Sequence, residues 1–448
     1  AAVELTAPAH FKTIVRELRE DPWERIRLMS REVTSAPLAV MQHCSIIGFR
    51  IVPTSLAQLW MQRLAANGIR RVHLMEASND FGLRVPDYVR FATDAGMEVA
   101  LALTYSISPK HTDEYYAQKT RDAVALKVPA IFLKDPGGLL TPERTRTLVP
   151  AILRNAGKTP VEFHSHCTTG LAPLCYLEAV RQGIRTLHTA IPPLANASSQ
   201  PSILTVADNL RHLGYVPRVN EAAVLAVSDH LHYVAKREGR PIGAPVEYDE
   251  YQYVHQIPGG VISNLKRQLS QLRLTDKLPQ VIAECIEVRK DFGYPIMVTP
   301  FSQFMATQAA INVVLGERYK QVADDLIYYA LGFWGKEAAA AIDRNVMDKI
   351  MSLPRSKELM DWKPPEPSLE EVREQYGGGG LSDDDLLLRY MIGSDDDIKA
   401  MRAAGPIRQD KYVGAATPLR VLIEELLKRR DVSYVSIRAK GLDITMGI

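Results

Sequence analysis

Two histidines at the end of an apolar run are the residues of this chain best suited to metal chemistry. The run is VEFHS (161–165), and His166 follows it. In an extended strand, His164 and His166 point to the same side because side chains alternate with a period of two, so both imidazoles reach one ion. On a helix the same spacing would separate them by about 200°. His230 and His232 lie in a stretch of helical periodicity, and we interpret them as surface or packing residues.

A lysine ends the preceding apolar run, AIFLK (130–134). The carboxyl ends of parallel strands are where a β/α barrel holds its catalytic residues. A lysine in that position must pair with a carboxylate or reach solvent, or it takes up carbon dioxide as a carbamate, an anionic oxygen ligand. Lys134, His164 and His166 therefore form a candidate site for a divalent ion. For an arbitrary HxH pair, the alternative is one buried, hydrogen-bonded histidine and one fortuitous neighbour.

Composition narrows the class of protein. The 448 residues are 46% hydrophobic, and 54 basic against 52 acidic residues give a net charge of +2. No basic block with interleaved aromatic residues occurs, which argues against a nucleic-acid or membrane-surface partner. Four cysteines without CxxC spacing fit a reducing cytoplasm. No apolar run reaches the roughly 20 residues of a membrane span, and no signal peptide opens the chain.

The first half of the chain alternates apolar runs with amphipathic stretches, which predicts parallel strands joined by helices. Helical patterns between the strands include 55–68, 142–157 and 170–183, and one more helix is predicted at 202–214. The predicted strands are AAVEL (1–5), LAVMQ (38–42), VHLME (72–76), VALAL (99–103), AIFLK (130–134), VEFHS (161–165) and IRTLH (184–188). A closed (β/α)8 barrel needs an eighth strand. We therefore expect a TIM barrel whose first βα unit precedes Ala1, with a less regular α/β layer as the alternative.

The remaining pattern predicts further units. We expect the barrel domain at 1–250, a helical domain at 251–353, a flexible linker at 354–380 and a small α/β appendage at 381–448. A helix at 419–430 and a strand at 432–439 are predicted within the appendage. The aspartate triplets after Ser382 and Ser394 are typical of helix N-caps with acidic first turns.

Several blocks of sequence, in order, match one family. They are EDPWERIRL (20–28), SISPKHT (106–112), FLKDPGGLLTP (132–142), HSHCTTG (164–170), SSQPS (198–202), HQIPGGVISNL (255–265) and GYPIMVTPFSQ (293–303). The chain resembles the carboxyltransferase subunits of biotin-dependent enzymes, which include the oxaloacetate decarboxylase alpha subunit, pyruvate carboxylase with its separate B subunit, and transcarboxylase. The resemblance runs from Ala1 to about residue 350. It implies a TIM barrel followed by a helical conserved carboxylase domain.

The resemblance also implies roles for individual residues. Lys134 stands at the position of the carbamylated, metal-binding lysine, and His164 and His166 match the two metal-binding histidines. Tyr105 matches a tyrosine that lines the keto-acid pocket. Ser198 replaces the threonine that passes a proton to and from the biotin ureido nitrogen, and its hydroxyl preserves that chemistry. From the residues alone, Tyr105 would be a packed phenol and Ser198 a turn or N-cap hydroxyl.

Three positions depart from the family. The fourth metal ligand, an aspartate on the first barrel strand, belongs to the unit that we do not find. Gln42 stands where the family has an arginine that clamps the substrate carboxylate, and a neutral amide loses a charge-assisted pair worth about 1.5–3 kcal/mol. His188 stands where relatives usually have an aspartate.

The implied function is transfer of a carboxyl group between carboxybiotin and an enolisable 2-oxo acid such as pyruvate or oxaloacetate, in either direction. The implied cofactors are a divalent ion (zinc, manganese or cobalt) and biotin on a carrier. The chain has no AMKM biotinylation motif and no phosphate loop. We therefore expect a biotin carboxyl carrier protein and a biotin carboxylase as separate partners, and a homodimer. The alternatives are a biotin-independent, metal-dependent lyase or aldolase of the same barrel superfamily, and a non-catalytic assembly subunit.

Overall fold

The protein is described here from a computed structural model. It covers residues 2–44, 46–47 and 50–407, and beyond them 422, 425–426, 429, 433–439 and 442–447. The strands in these ranges are β1 Val3–Thr6, β2 Leu38–His43, β3 Ile46–Ile47, β4 Arg50–Ile51, β5 Ile69–Met75, β6 Glu98–Thr104, β7 Ala130–Asp135, β8 Val161–Ser165, β9 Thr186–Leu187, β10 Tyr434–Ala439 and β11 Leu442–Gly447.

Seven of these strands form one parallel sheet in the order β1-β2-β5-β6-β7-β8-β9. They correspond one to one to the seven predicted strands, so that prediction is confirmed. The β3 and β4 hairpin between β2 and the next helix was not predicted. Among the described residues no eighth strand joins β1 to β9.

Helices follow the strands as crossover connections require. The described helices are α1 His10–Thr13, α2 Pro22–Glu32, α3 Thr54–Ala66, α4 Val85–Asp94, α5 Asp113–Ala125, α6 Pro142–Ala156, α7 Ala172–Arg181, α8 Ile203–His212, α9 Glu221–Arg237, α10 Tyr251–His255, α11 Gly259–Gln271, α12 Leu278–Asp291, α13 Phe301–Leu315, α14 Asp324–Ala330, α15 Lys336–Ala340, α16 Arg344–Ser352, α17 Pro354–Leu359, α18 Leu369–Tyr376, α19 Asp383–Ile392 and α20 Asp395–Ala404. A π-helical turn extends α1 over Ile14–Leu18, and a 3₁₀ turn, Thr275–Lys277, precedes α12. No helix in the described ranges has both the length and the hydropathy of a membrane span.

The sheet curls strongly. In a flat sheet, β5 and β9 would lie about 19 Å apart, because four strand spacings of about 4.8 Å separate them. The imidazoles of His73 on β5 and His188 after β9 instead stack with their centroids 4.9 Å apart. Arg71 on β5 likewise bonds to Glu162 on β8 at 2.6 Å. The inner faces of the strands therefore meet as they do in a barrel.

Two hydrophobic cores hold the fold together. The first lies between the outer face of the sheet and the surrounding helices, where Phe11, Trp23 and Trp60 pack with centroids 5.2–5.3 Å apart. The second joins the helical region at 257–359 to inner-face residues of β5, β6 and β7. Arg289 of α12 also donates to Ser106 Oγ at 3.0 Å, so the helical region covers the loop that follows β6.

Helices α18, α19 and α20 belong to the first core, whereas α17 packs in the second. The segment 354–380, predicted to be a flexible linker, contains α17 and α18, and a capping box between Ser368 and Glu371 starts α18. Buried residues of α19 and α20 pack against the barrel helices. The hydroxyls of Ser382 and Ser394 accept from the backbone N–H groups three residues on, which confirms both predicted N-caps.

The predicted domain boundaries remain predictions. The strand predicted at 432–439 is present as β10, and it pairs with β11, which was not predicted. Most of the helix predicted at 419–430 lies outside the described residues.

Candidate metal and carboxyl-transfer site

Lys134 and His164 lie side by side at the carboxyl ends of β7 and β8, where they are direct register partners. Alternation places Phe132 and Lys134 on the inner face of β7, and Glu162 and His164 on the inner face of β8. The outward residues between them, such as Phe163, belong to the first core. The hydrophobic packing of one face thus fixes the direction of the polar residues on the other.

The loop after β7 supports the end of β8. The Asp135 carboxylate accepts from the backbone N–H groups of Leu139 and Leu140, each at 2.9 Å, and from Ser165 Oγ at 2.7 Å. Gly138 has φ +63°, and a Cβ there would lie 2.5 Å from the His166 carbonyl oxygen. Only glycine permits this approach. The PGG turn therefore packs directly against the strand end that carries the histidines.

The two histidines present their Nε2 atoms to one point. Those atoms are 3.1 Å apart. His166 Nδ1 lies 2.6 Å from the Ser198 carbonyl oxygen, to which it must donate, so His166 Nε2 carries a lone pair when the ring is neutral. Burial, reinforced by the charge of Lys134, lowers the pKa of His166 to about 4 and lowers that of His164 well below its ordinary value. Both rings are therefore neutral at pH 7, as metal ligands must be.

The Gln200 carboxamide lies between the two histidines. Its Nε2 atom lies 3.0 Å from His164 Nε2 and 3.2 Å from His166 Nε2. An amide nitrogen has two N–H donors, one for each lone pair. The –NH₂ group therefore occupies the point toward which both Nε2 atoms are directed. Ser198, two residues earlier, is exposed, so its hydroxyl lies at the mouth of the site.

Lys134 places a buried amine at the end of β7. Its residue is only 6% exposed, and its ammonium has no hydrogen bond or ion pair with the described residues. Burial lowers the pKa of Lys134, against the opposing charges of Glu4 and Asp135. A neutral amine is the form that reacts with carbon dioxide. The donor set of two imidazoles and a carbamylated Lys134 fits a divalent cation such as zinc, manganese or cobalt.

A polar layer lies directly beneath these residues in the barrel. His188 Nε2 bonds to Glu162 Oε2 at 2.8 Å, and Arg71 bonds to the other oxygen of Glu162 at 2.6 Å. Burial alone would raise the pKa of Glu162, but His188 and Arg71 lower it to about 2. His73 Nδ1 lies 2.6 Å from Glu4 Oε2. Ligand atoms of His73, Glu162 and His188 lie within 4.8 Å of one another, so this layer is a second place with metal-ligand chemistry.

Tyr105 lies apart from the histidine pair. Its backbone N–H donates to the Lys134 carbonyl at 2.7 Å, but its phenol faces the helices. There it lines a cavity of about 600 Å³ with Arg144 and Tyr253. Burial raises the pKa of Tyr105 far above its ordinary value.

Gln42 does not face the site at all. Its Oε1 accepts from Trp60 Nε1 at 2.7 Å, and its Nε2 donates to the His43 carbonyl at 2.6 Å. The residue is fully buried on the helix side of β2, whereas Met41 packs in the second core. The structure therefore does not bring Gln42 together with Lys134, His164 and His166, and it places no clamp for a substrate carboxylate at this position.

Sequence reasoning did not identify Gln200, Glu162 and Arg71 as members of the site. A signal existed for Glu162, because it shares its strand face with His164. The contacts of Gln200 and Arg71 depend on loop geometry and barrel curvature, which the sequence does not display.

Comparison with known proteins agrees with this geometry. The family model "HMGL-like" matches residues 66–231, and "Conserved carboxylase domain" matches residues 253–392, which includes the whole of the predicted linker. The chain is 31% identical over 423 residues to the B subunit of pyruvate carboxylase from Methanocaldococcus jannaschii, covering 92% of this chain and 74% of that protein. It is 28% identical over 397 residues to the methylmalonyl-CoA carboxyltransferase 5S subunit of Propionibacterium freudenreichii subsp. shermanii, covering 86% and 77%.

Among solved structures, the carboxyl transferase domain of Rhizobium etli pyruvate carboxylase with oxamate and biotin has a TM-score of 0.79 at 22% identity. The match covers 90% of this chain and 72% of that one. At this identity the likeness establishes the fold: a carboxyl transferase barrel with a helical region after it.

Proposed function

Because the chain belongs to the family of carboxyltransferase subunits that includes the B subunit of pyruvate carboxylase, we propose that it moves a carboxyl group between carboxybiotin and the methyl or methylene carbon of a 2-oxo acid. Pyruvate and oxaloacetate are the simplest pair of such acids. The observation that carries the proposal is the pair of imidazole Nε2 atoms, 3.1 Å apart, on a strand paired with the one that ends in the buried Lys134.

His164, His166 and a carbamylated Lys134 would hold a divalent ion. When bound, this ion supplies a Lewis acid for the carbonyl or enolate oxygen of the 2-oxo acid. The residues themselves contribute neutral imidazoles in a dry site, where burial removes competing protonation. A divalent ion held by His164 and His166 would use the two lone pairs to which Gln200 Nε2 donates in the metal-free protein.

Ser198 is the proposed carrier of the proton. Its carbonyl holds His166 in place, while its hydroxyl remains exposed at the mouth. The position gives it access to a biotin ureido nitrogen and to the acceptor carbon. In the carboxylation direction, the hydroxyl receives the proton that leaves the acceptor carbon and passes a proton to the ureido nitrogen that loses its carboxyl group.

The acceptor's carboxylate needs a partner other than Gln42. We propose Arg144 as this partner, since it lines, together with Tyr105, the cavity of about 600 Å³ beside the segment that follows β6. Arg144 is also paired with Asp113. A substrate carboxylate would therefore compete with Asp113 for the guanidinium, which is a weaker arrangement than a dedicated arginine clamp.

The proposed partners are a biotin carboxyl carrier protein, a biotin carboxylase and a second copy of this chain. We place the protein in the cytoplasm, in accord with four buried cysteines that are free thiols. A biotin-independent lyase is the second candidate, favoured by the "HMGL-like" match alone. The conserved carboxylase match over 253–392 counts against it.

The test is biotin-dependent decarboxylation of oxaloacetate by metal-loaded protein, with and without free biotin. His164→Ala/His166→Ala should abolish turnover, whereas the matched pair His230→Ala/His232→Ala on α9 should retain it. Turnover that ignores biotin would favour the lyase. A protein that binds divalent metal nowhere and shows no turnover would favour an assembly subunit.

A further inference from the structure

His188 lies between the buried Glu162 carboxylate and His164, one of the proposed metal ligands. Its Nε2 lies 2.8 Å from Glu162 Oε2, and its Nδ1 lies 3.3 Å from His164 Nδ1. The opposite oxygen of Glu162 is bonded to Arg71 at 2.6 Å, and the Glu162 side chain is 7% exposed. This salt bridge keeps Glu162 a carboxylate, which only accepts hydrogen bonds. The proton of His188 must therefore lie on Nε2.

The position of that proton determines the next one. A neutral imidazole carries one N–H, so His188 Nδ1 is an acceptor. His164 Nδ1 faces this acceptor and must donate to it, which leaves His164 Nε2 with a lone pair. We infer that His188, held by Glu162, is a positioning residue that fixes His164 in the tautomer whose Nε2 binds the cation. The tautomer of His164 follows from hydrogen bonding alone. The role of His164 in binding a cation rests on the proposed function.

The same logic makes the two potential metal sites alternatives. A cation among His73, Glu162 and His188 would displace the proton from His188 Nε2. The single proton of the neutral His188 ring would then move to Nδ1 and point at His164 Nδ1, which would become the acceptor. His164 would carry its own proton on Nε2 and lose its place as a ligand. The guanidinium of Arg71, already bonded to Glu162, would repel a cation bound in the polar layer.

The polar layer therefore orients His164, whereas His164 and His166 bind the cation. His73 stacks on His188 at 4.9 Å with an interplanar angle of 19°, and Glu4 holds its Nδ1. These contacts keep the His188 ring in the plane that lets it reach both Glu162 and His164. In this arrangement the carboxylate acts on the ligand through one intervening imidazole, and not by direct contact.

The first experiment measures tautomers in the metal-free full chain. Protein labelled with ¹⁵N-histidine is examined by long-range ¹H–¹⁵N correlation, and His164 is assigned from its loss in His164→Ala. We expect His164 to be protonated at Nδ1. In His188→Phe, which keeps the ring but removes both nitrogens, the Nε2-protonated form should become the major one or share the population. His188→Gln, whose amide oxygen can accept from His164 Nδ1, should restore the original tautomer.

The second experiment measures zinc affinity by competition with a chromogenic chelator. Loss of an outer hydrogen-bond partner typically weakens metal binding about 10- to 100-fold, and we expect that loss in His188→Phe with substantial recovery in His188→Gln. Glu162→Gln should give a smaller loss, because its amide oxygen still accepts from His188. Glu162→Gln serves as the second variant if His188→Phe does not fold. His73→Phe keeps the stack but stands outside the relay, so its affinity should stay within about twofold of the original.

The outcomes separate the two proposals. An Nε2-protonated His164 in the unaltered protein, or a tautomer unchanged in His188→Phe, overturns the inference. An affinity that falls as much in His73→Phe as in His188→Phe would place the cation in the polar layer, and this also overturns it. If zinc binding is absent or insensitive to His164→Ala, the proposed function fails, while the metal-free tautomer measurement still decides whether His188 sets the proton of His164.

Discussion

Replacing Lys134 by methionine should stabilise the metal-free protein while removing its metal site. The Lys134 residue is 6% exposed, and its amine has no hydrogen-bond or ion-pair partner among the described residues. Burying a polar group without a hydrogen bond costs about 1–3 kcal/mol in protein mutational data. Methionine has nearly the same length and leaves no cavity, so we expect Lys134→Met to raise the free energy of unfolding by about 1–3 kcal/mol.

The assay is urea unfolding of chelator-treated protein, followed by tryptophan fluorescence and far-ultraviolet circular dichroism, with coincident transitions required for the free-energy analysis. Lys119→Met is the matched control. Lys119 is also 6% exposed, but it is paired with Glu337 at 2.9 Å. Its replacement should give no gain in stability. The reasoning would be refuted if Lys134→Met lowered the free energy of unfolding, since the amine would then have a stabilising partner in the folded protein. Zinc binding should be lost in Lys134→Met and kept in Lys119→Met.

Three further predictions concern the rest of the molecule. Gln42→Leu should lower the free energy of unfolding by about 1–3 kcal/mol, because the buried Trp60 Nε1 loses its acceptor. The KM for the 2-oxo acid should stay unchanged. A large rise in KM would show that Gln42 reaches the substrate. Asp384→Ala should weaken the packing of α19, because the Asp384 carboxylate accepts from Arg63 at 2.8 Å and from Arg27 and Asn67 at 3.2 Å. We expect faster amide exchange across 383–404, with little change in the helical region at 257–359. Burial lowers the pKa of His43 to about 4. Between pH 6.5 and 4 the unfolded chain therefore binds more protons than the folded protein, and stability falls as the pH falls. His43→Gln should show a flatter dependence of Tm on pH over this window, and an identical slope would contradict the prediction.

The sequence was sufficient for the order and type of the barrel elements, because each has a strong local pattern. All seven sheet strands were predicted, and the predicted helix at 142–157 corresponds to α6 at Pro142–Ala156. The segment 354–380 was harder to interpret. Its prolines and glycines indicate a linker, but the capping box at Ser368 starts a helix whose Val372 is 2% exposed. Whether such a short helix is stable depends on the surface available for it to pack against, which is a tertiary property.

The direction of individual side chains was predictable only where a strand had one polar face. The spacing of His164 and His166 showed that both point the same way. LAVMQH in β2 has no such alternation, because both faces of a strand in a parallel sheet are covered. Resemblance to the family placed Gln42 at a functional position, but alternation turns its side chain toward Trp60. The sequence therefore identified the position of Gln42 along the chain, and the structure was needed to identify its face.

The interior of the barrel is the region where general rules for the fold predict least. Barrels of this type fill their interior mainly with branched aliphatic side chains, yet this one places Arg71, His73, Glu162 and His188 beneath the proposed metal ligands, with the exposed Glu4 bonded to His73. Partly satisfied polar clusters are less stable than apolar packing. Here Arg71, Glu162 and His188 are hydrogen-bonded in a continuous set that ends at His164 Nδ1. The bonded pair of His73 and Glu4 joins this set through the stack of His73 on His188. A purely structural network would have no need to terminate there. Its end point on the back of a proposed ligand is the reason to interpret the polar layer as support for the site.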